Sequence, residues 1–262
     1  MQPMEHTETT RPAPPVGQRP LRTGGSWTVS LGSIFGIPLL LHWSFPLLLA
    51  YVIWMGSQRG STPTEIAVHC ALVLAVFGCV LLHECGHALA GRWYGIPTRD
   101  ITLLPLGGVA RMERMPPTPL GEIMVALAGP AVNVAIVLVI AGAFVVRNGL
   151  AGVTNARIDP FAGNFAEQLM ILNVFLVVFN LIPAYPMDGG RVLRAVLTWP
   201  LGPARASLAA AYASMAIALG FVGLGLWGAG PFLLLIGVFI FLAARATAAR
   251  ARQQLQAART GI

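Results

Sequence analysis

The chain contains no lysine, and few of its residues carry a charge. All 17 basic residues are arginine, 10% of the residues are charged, and 56% are hydrophobic. Soluble domains usually carry about 25% charged residues, so this composition excludes an ordinary soluble protein. The formal net charge of +7 would suit nucleic-acid binding, but the arginines lie between long hydrophobic segments. We therefore assign them to membrane topology and expect no nucleic-acid partner.

Cysteine is also scarce. Cys70, Cys79 and Cys85 are the three cysteines, and all fall on one predicted helix, where they face different ways. Three thiols so placed cannot pair with each other within a straight helix. No disulfide framework is predicted, and Cys79, although on the same helical face as the histidines described below, is assigned to packing.

Long hydrophobic segments are abundant, and they predict an all-α polytopic membrane protein with about six transmembrane helices. Six crossings put both termini on one side. All arginines except Arg59, Arg147 and Arg157 then share that side. Because arginine is enriched in cytoplasmic loops, both termini are predicted to be cytoplasmic. The segments cover residues 34–55, 66–93, 121–146, 168–182, 208–227 and 231–244.

The second segment contains the sequence His83-Glu84-Cys85-Gly86-His87. In an H-E-x-x-H helix the two imidazoles lie one turn apart and can bind zinc, while the glutamate can act as a base. His83 precedes the cytoplasmic end of the segment by ten residues, which is roughly 15 Å of helix. Ionisable side chains are costly at such depth, so the pattern favours a functional metal site.

Two histidines leave a catalytic zinc site incomplete, because such sites normally have three protein ligands and a water. Asp188 is the best candidate for the third ligand, since it follows the fourth segment at a similar depth. Pro183 and Pro186 break the helix before it, and this frees the backbone to turn the aspartate toward the other helices. The sequence therefore predicts one Zn²⁺ held by residues of two distant motifs.

These motifs together resemble the site-2 protease family of intramembrane zinc metalloproteases, in a short form without PDZ or CBS domains. The resemblance implies that His83, His87 and Asp188 bind zinc and that Glu84 is the catalytic base. It rests on His83-Glu84-x-x-His87, on Asn180-x-x-Pro183-x-x-Pro186-x-Asp188-Gly189, and on Gly129-Pro130-x-x-Asn133 between them.

The resemblance also implies the substrate and the location. The expected substrate is a transmembrane segment of a membrane-anchored protein, cut near the cytoplasmic side within the lipid bilayer. Arginine without lysine is typical of a GC-rich genome, so we expect a bacterial plasma membrane. The expected organisation is a disordered cytoplasmic tail at 1–26, an intramembrane metalloprotease domain at 27–244 with its catalytic core at about 66–190, and a basic cytoplasmic tail at 245–262.

Residues 98–112 are too short and too broken by proline and glycine to cross a membrane, and they predict a short strand or hairpin at the membrane edge. Such a strand can capture an extended substrate by backbone pairing. It can equally be a loop that seals the site from lipid. The residues that would pair with substrate are Leu106, Gly107, Gly108 and Val109.

Three amides and one histidine are further candidates. Asn180 is predicted to contact substrate backbone or a developing oxyanion. Asn173 and Asn133 are assigned to hydrogen bonds between helices, with substrate contact as the alternative for Asn133. His42 is either a residue supporting the metal site or an interfacial side chain beside Trp43.

Other functions remain open at the level of sequence. A membrane metal transporter or sensor could use the same ligands, but it has no need for Glu84, and no matching half-repeats of broken helices are evident. A di-iron membrane oxidase would need more than the five histidines present. Another kind of membrane H-E-x-x-H protease would differ in its third ligand.

Overall fold

The computed structural model describes residues 27–105, 107–149 and 163–260. Within them the protein is mostly helical, with one small sheet. The tail predicted at 1–26, Arg157 and Leu106 lie outside the described residues. The described helices are α1 (Phe45–Gln58), α2 (Pro63–Trp93), α3 (Pro119–Asn148), α4 (Phe165–Asn180), α5 (Asp188–Leu201), α6 (Pro203–Leu224) and α7 (Pro231–Thr260).

Four helices are long and apolar enough to cross a membrane, and the candidate spans are Pro63–Trp93, Pro119–Arg147, Pro203–Gly228 and Pro231–Ala257. They correspond to the second, third, fifth and sixth predicted segments. The helices in the first and fourth segments, α1 and α4, are apolar but have only 14 and 16 residues. A π-helical turn at Gly225–Ala229 separates α6 from α7.

The first predicted segment, 34–55, is wrong in its first half. Two strands, β1 (Thr28–Ile34) and β2 (Ile37–His42), form an antiparallel hairpin there, and helix α1 begins only at Phe45. The turn between them places Phe35 and Gly36 at positive φ, 53° and 77°. A short apolar run fits a buried strand as well as a helix, and here pairing with the neighbouring strand decides in favour of the strand.

The short strand or hairpin predicted at 98–112 is a hairpin of two strands, β3 (Thr98–Leu104) and β4 (Gly107–Met112). It belongs to a larger sheet of order β1-β2-β3-β4, in which β2 and β3 are parallel, with Leu39 opposite Ile101. The sheet packs on α2, where Cys85 and Ala88 join one apolar core with the two central strands. It therefore covers the helix that carries His83 and His87.

Helix α5 was not predicted. It is a short amphipathic helix that contacts α3 and α6, with Asp188, Gly189, Gly190 and Ala195 buried. Its arginines and Pro200 interrupt the apolar sequence, so this segment does not resemble a membrane-spanning helix. Asp188 therefore lies in the first turn of a helix.

The domain boundary predicted at residue 244 is not marked by a break in the helix and stays a prediction. Helix α7 continues to Thr260, so most of the basic tail expected at 245–262 is the end of this helix. Alanine, arginine and glutamine predominate there, and all three favour helix even without burial. The tail is therefore helical where it is described.

Helices α2 and α3 approach each other closely at a glycine. A Cβ added at Gly86 would lie 2.7 Å from the carbonyl oxygen of Ala128 and 2.9 Å from Val132 Cγ2. The missing side chain lets the two backbones come together, as small residues commonly do between membrane helices. This approach brings α3 against the histidine face of α2.

We expect Gly86→Ala to lower the midpoint of thermal unfolding, because the new methyl group meets backbone and overpacking costs about 1–3 kcal/mol. Gly78→Ala is the matched control on the same helix, since a Cβ there would meet nothing within 4 Å. Equal midpoints for the two variants in detergent would contradict the close approach.

Candidate metal centre

Three potential metal ligands meet in the interior. His83 and His87 come from α2, and Asp188 comes from the first turn of α5. The His83 and His87 Nε2 atoms are 3.1 Å apart, and each lies 3.2 Å from Asp188 Oδ2. All three residues are buried. They form the only such group of metal-binding side chains in the part of the chain that the structure describes.

The spacing of these atoms fits a zinc ion. Zinc binds nitrogen and carboxylate oxygen at about 2.0–2.2 Å in tetrahedral geometry, which places neighbouring ligand atoms about 3.3 Å apart. The observed distances of 3.1 and 3.2 Å are close to this value. The three side chains could therefore hold a zinc ion and leave its fourth position for water.

Hydrogen bonds fix both imidazoles in the form that a metal requires. His87 Nδ1 donates to the carbonyl oxygen of Val125 at 2.7 Å, and His83 Nδ1 donates to Asn133 Oδ1 at 2.6 Å. With the proton on Nδ1, each Nε2 carries a free lone pair directed at the cluster. This is the arrangement in which outer partners orient metal-binding histidines.

Asn133 is itself held by a second amide. Its Nδ2 donates to Asn173 Oδ1 at 2.8 Å, and Asn173 Nδ2 donates to the carbonyl oxygen of Leu169 at 2.8 Å and lies 3.3 Å from Cys79 Sγ. Both amides are 0% exposed. They join α2, α3 and α4, as the packing interpretation predicted, but Asn133 also contacts a candidate ligand. That contact was not predicted.

Because Gly129 has no side chain, there is room beside the ligand atoms of the two histidines. A Cβ added there would overlap His87 Nε2 and lie 2.7 Å from His83 Nε2. The backbone of α3 thus passes directly beside the two nitrogen atoms. The motif Gly129-Pro130-x-x-Asn133 marks this residue in the sequence. Its position against the histidines could not be inferred from the motif, because it depends on how α2 packs on α3.

The segment between α4 and α5 directs Asp188 inward. Gly189 packs against the carbonyl groups of Leu181 and Ile182, and a Cβ at Gly190 would lie 2.6 Å from the Tyr185 nitrogen. This close folding turns the chain back after Asn180 and starts α5 at the cluster. The prediction that prolines and glycines near Asp188 permit a sharp turn agrees with this path.

Glu84 lies beside the cluster and contacts the sheet. Its Oε2 accepts a hydrogen bond of 2.9 Å from the backbone N–H of Ala110 on β4. A Cβ at Gly108 would lie 2.6 Å from Glu84 Cγ. Strand β4 therefore restricts the position of the glutamate side chain.

The remaining candidates lie apart from the cluster. Asn180 Nδ2 donates to the carbonyl oxygen of Leu176, within its own helix. His42 Nδ1 lies 2.5 Å from Ser44 Oγ, and its ring is near Trp43, which matches the interfacial alternative more closely than a support for the metal site. Gly107 and Val109 lie on β4.

The chain was compared with known proteins. Residues 71–221 match the profile of peptidase family M50. A zinc metalloprotease of Methanocaldococcus jannaschii is 34% identical over 221 residues, which are 84% of this chain and 60% of that protein. A putative zinc metalloprotease of Mycobacterium tuberculosis is 34% identical over 234 residues, 83% of this chain and 58% of that protein.

A solved structure, the site-2 protease from Methanocaldococcus jannaschii, is also similar. It has 33% sequence identity and a TM-score of 0.61, and the match covers 85% of this chain and 95% of that chain. The chain spans about three fifths of the length of the two metalloproteases named above. The match to peptidase family M50 and the similarity to this solved structure confirm the resemblance to the site-2 protease family.

We expect Gly129→Ala to reduce the zinc content of the purified protein from about one ion per chain to a small fraction of that value, because the new methyl group would occupy the space between the ligand atoms. Gly142→Ala is the matched control on α3, since a Cβ there would meet nothing within 4 Å. Elemental analysis gives the zinc content, and thermal unfolding shows whether each variant is folded. A folded Gly129→Ala protein with full zinc content would contradict the proposed centre.

Proposed function

Because this chain belongs to peptidase family M50, the site-2 protease family, we propose that it is a zinc-dependent intramembrane endopeptidase. Its substrate is a transmembrane segment of a membrane-anchored protein, cut near the cytoplasmic side. The observation that carries the proposal is the convergence of His83, His87 and Asp188 at zinc spacing. The two histidines and Glu84 lie on α2, a helix able to cross a membrane.

The ligands and the base have separate tasks in this proposal. Zinc bound by His83, His87 and Asp188 would lower the pKa of its water to about 7 and polarise the scissile carbonyl group. Glu84 Oε2 is held by Ala110, whereas Oε1 has no hydrogen-bond partner among the described residues. Glu84 Oε1 is thus the oxygen that accepts a proton from water and passes it to the leaving nitrogen.

The membrane arrangement that we propose would place the cleavage near the cytoplasmic side. We propose six crossings with both termini in the cytoplasm of a bacterium, in which α1 and α4 are two of the crossings. These helices are about 21 and 24 Å long, less than the bilayer core of about 30 Å. In this arrangement the sheet extends the first crossing and the segment 181–187 extends the fourth, so that each reaches across the bilayer core. Non-helical backbone is tolerated at membrane depth when protein surrounds it.

Strand β4 is positioned to bind the substrate. It is a terminal strand of the sheet, and the N–H of Ala110 points away from β3 because it binds Glu84. Gly108 has the same parity, so its backbone groups face the same open edge. An unwound substrate strand pairing with this edge would lie next to the base and bond to the backbone of Gly108, while Gly107 and Val109, whose backbone groups face β3, would flank it.

Asn180 and Asn133 have different places in the proposal. Asn180 is only partly buried and lies at the end of α4, just before the segment that leads to Asp188, so a substrate carbonyl could replace its contact with Leu176. Asn133 is fully enclosed. We assign it to the orientation of His83 and no longer to substrate binding.

We expect Gly108→Ala to lower kcat roughly ten- to hundredfold while zinc is retained, because the new methyl group displaces Glu84 and small misplacements of catalytic groups are costly. Gly220→Ala in α6 is the control, since a Cβ there would meet nothing within 4 Å. Turnover of a tagged single-span substrate in detergent is the measurement. Parental kcat in Gly108→Ala would show that β4 does not position the base.

We expect Glu84→Gln to keep about one zinc per chain and to lose cleavage by about 10²–10⁴-fold, because a neutral amide cannot accept the proton. The glutamine has the same shape and can still accept from Ala110, so the fold is preserved. Zinc content and cleavage are measured on the same preparation. A variant that cuts at the parental rate would rule out Glu84 as the base.

The same variant separates a protease from a metal transporter. Transport needs the three ligands but no base, so a transporter would be unaffected by Glu84→Gln and would move zinc into vesicles. Zinc uptake without cleavage by the parental chain would contradict the proposed function.

A further inference from the structure

A cavity of about 310 Å³ lies on the arginine-rich side of the molecule, outside the metal centre. Its walls come from the segment between α4 and α5, from α5 itself, and from α6 and α7. The polar residues that line it include Tyr185, Arg191, Arg194, Ser207, Thr247 and Arg250. Three guanidinium groups therefore converge on one cavity, and no acidic side chain lines it.

One of the three arginines is already neutralised. Arg194 binds Glu122 Oε1 through Nε at 2.8 Å and through Nη2 at 2.5 Å, and both side chains are largely buried. Arg191 Nη1 is 4.0 Å from Asp188 Oδ1, an ion pair without a hydrogen bond that offsets part of its charge. Arg250 has no acidic partner among the described residues. The cavity thus holds uncompensated positive charge, which an anion would offset.

One of the remaining polar groups suits an anion with several oxygen atoms. The Tyr185 hydroxyl accompanies the guanidinium groups in the lining, whereas Ser207 Oγ and Thr247 Oγ1 already donate to the carbonyl oxygens of Pro203 and Ala243. A tyrosine hydroxyl is protonated at neutral pH and can donate a hydrogen bond to a bound anion. Arginine with neutral hydroxyl donors is the combination that recognises phosphate.

The depth of the cavity indicates where such a phosphate comes from. Leu242 is an exposed apolar residue of α7, and Thr247 follows it by five residues, or about 8 Å of helix. This distance is similar to the headgroup layer on each side of a bilayer, about 5–8 Å. The guanidinium group of Arg250 can reach back toward that layer on its flexible side chain.

We propose that this cavity binds the phosphate group of an anionic phospholipid of the cytoplasmic leaflet. Basic pockets between transmembrane helices are the usual binding sites for such headgroups. The proposal depends on the membrane placement of α7, and it does not depend on peptidase activity. Its failure and the failure of the proposed protease function can therefore be distinguished.

The test uses the full-length chain, purified in a mild detergent and depleted of lipid. Native mass spectrometry measures the binding of phosphatidylglycerol and of phosphatidylcholine at equal concentrations. We expect one phosphatidylglycerol to bind in preference to phosphatidylcholine, and we expect Arg250→Gln to weaken its binding at least about fivefold. Tyr185→Phe should weaken it by a smaller factor without changing the charge.

Arg245→Gln is the matched control. It removes one positive charge from the same helix, but residue 245 does not line the cavity, so lipid binding should match that of the parental chain. Equal losses in Arg250→Gln and Arg245→Gln would show that only the overall charge matters and would overturn the proposal. Equal binding of the two lipids would also overturn it.

A separate arm uses inorganic phosphate, which shares the chemistry of the headgroup but has no acyl chains. Millimolar phosphate should displace phosphatidylglycerol only weakly if the lipid is the ligand. If phosphate binds with the same dependence on Arg250 while phosphatidylglycerol shows none, the cavity is a site for a free anion and the lipid assignment is wrong.

Discussion

The structure depends on three ligand atoms meeting in a space that cannot accept one additional carbon atom. His83 Nε2, His87 Nε2 and Asp188 Oδ2 lie 3.1–3.2 Å apart, and the α carbon of Gly129 borders the same space. That approach requires α2 and α3 to pack closely, which Gly86 permits. It also requires the chain to fold back after α4 so that α5 begins at the cluster. Each of these packing features helps to fix the positions of the three ligand atoms.

Polar groups around the centre form hydrogen bonds with other polar groups of the protein. The imidazoles donate to Val125 and Asn133, and Asn133 and Asn173 continue the chain of hydrogen bonds across three helices. A buried polar group without a partner would cost several kcal/mol in an apolar environment. The network thus keeps the histidines oriented and also makes their burial tolerable. Strand β4 contacts Glu84 and is a terminal strand of the sheet, so in the proposed function substrate pairing and placement of the base would involve the same strand.

The sequence was sufficient to predict the parts of this centre that lie in short motifs. The spacing of His83 and His87 is a property of one helix, and the hairpin at 98–112 followed from its composition. Asp188 could be placed near them because prolines and glycines interrupt the chain before it. What could not be predicted depends on contacts between distant segments, namely the pairing of β2 with β3, the short helix α5, and the contacts of Gly129 and Asn133 with the histidines. The segment 34–55 shows the limit well, since its apolar run fits a strand or a helix until its partner is known.

The central claim is that two imidazoles and one carboxylate hold a single zinc ion. Zinc K-edge X-ray absorption of the purified chain tests it most directly. We predict nitrogen and oxygen scatterers alone, at about 2.0–2.2 Å, with the multiple scattering of two imidazoles. In Asp188→Ala the zinc should be lost. A sulfur scatterer at about 2.3 Å, which would mean that Cys79 or Cys85 binds the metal, or an unchanged zinc spectrum in Asp188→Ala, would contradict this account.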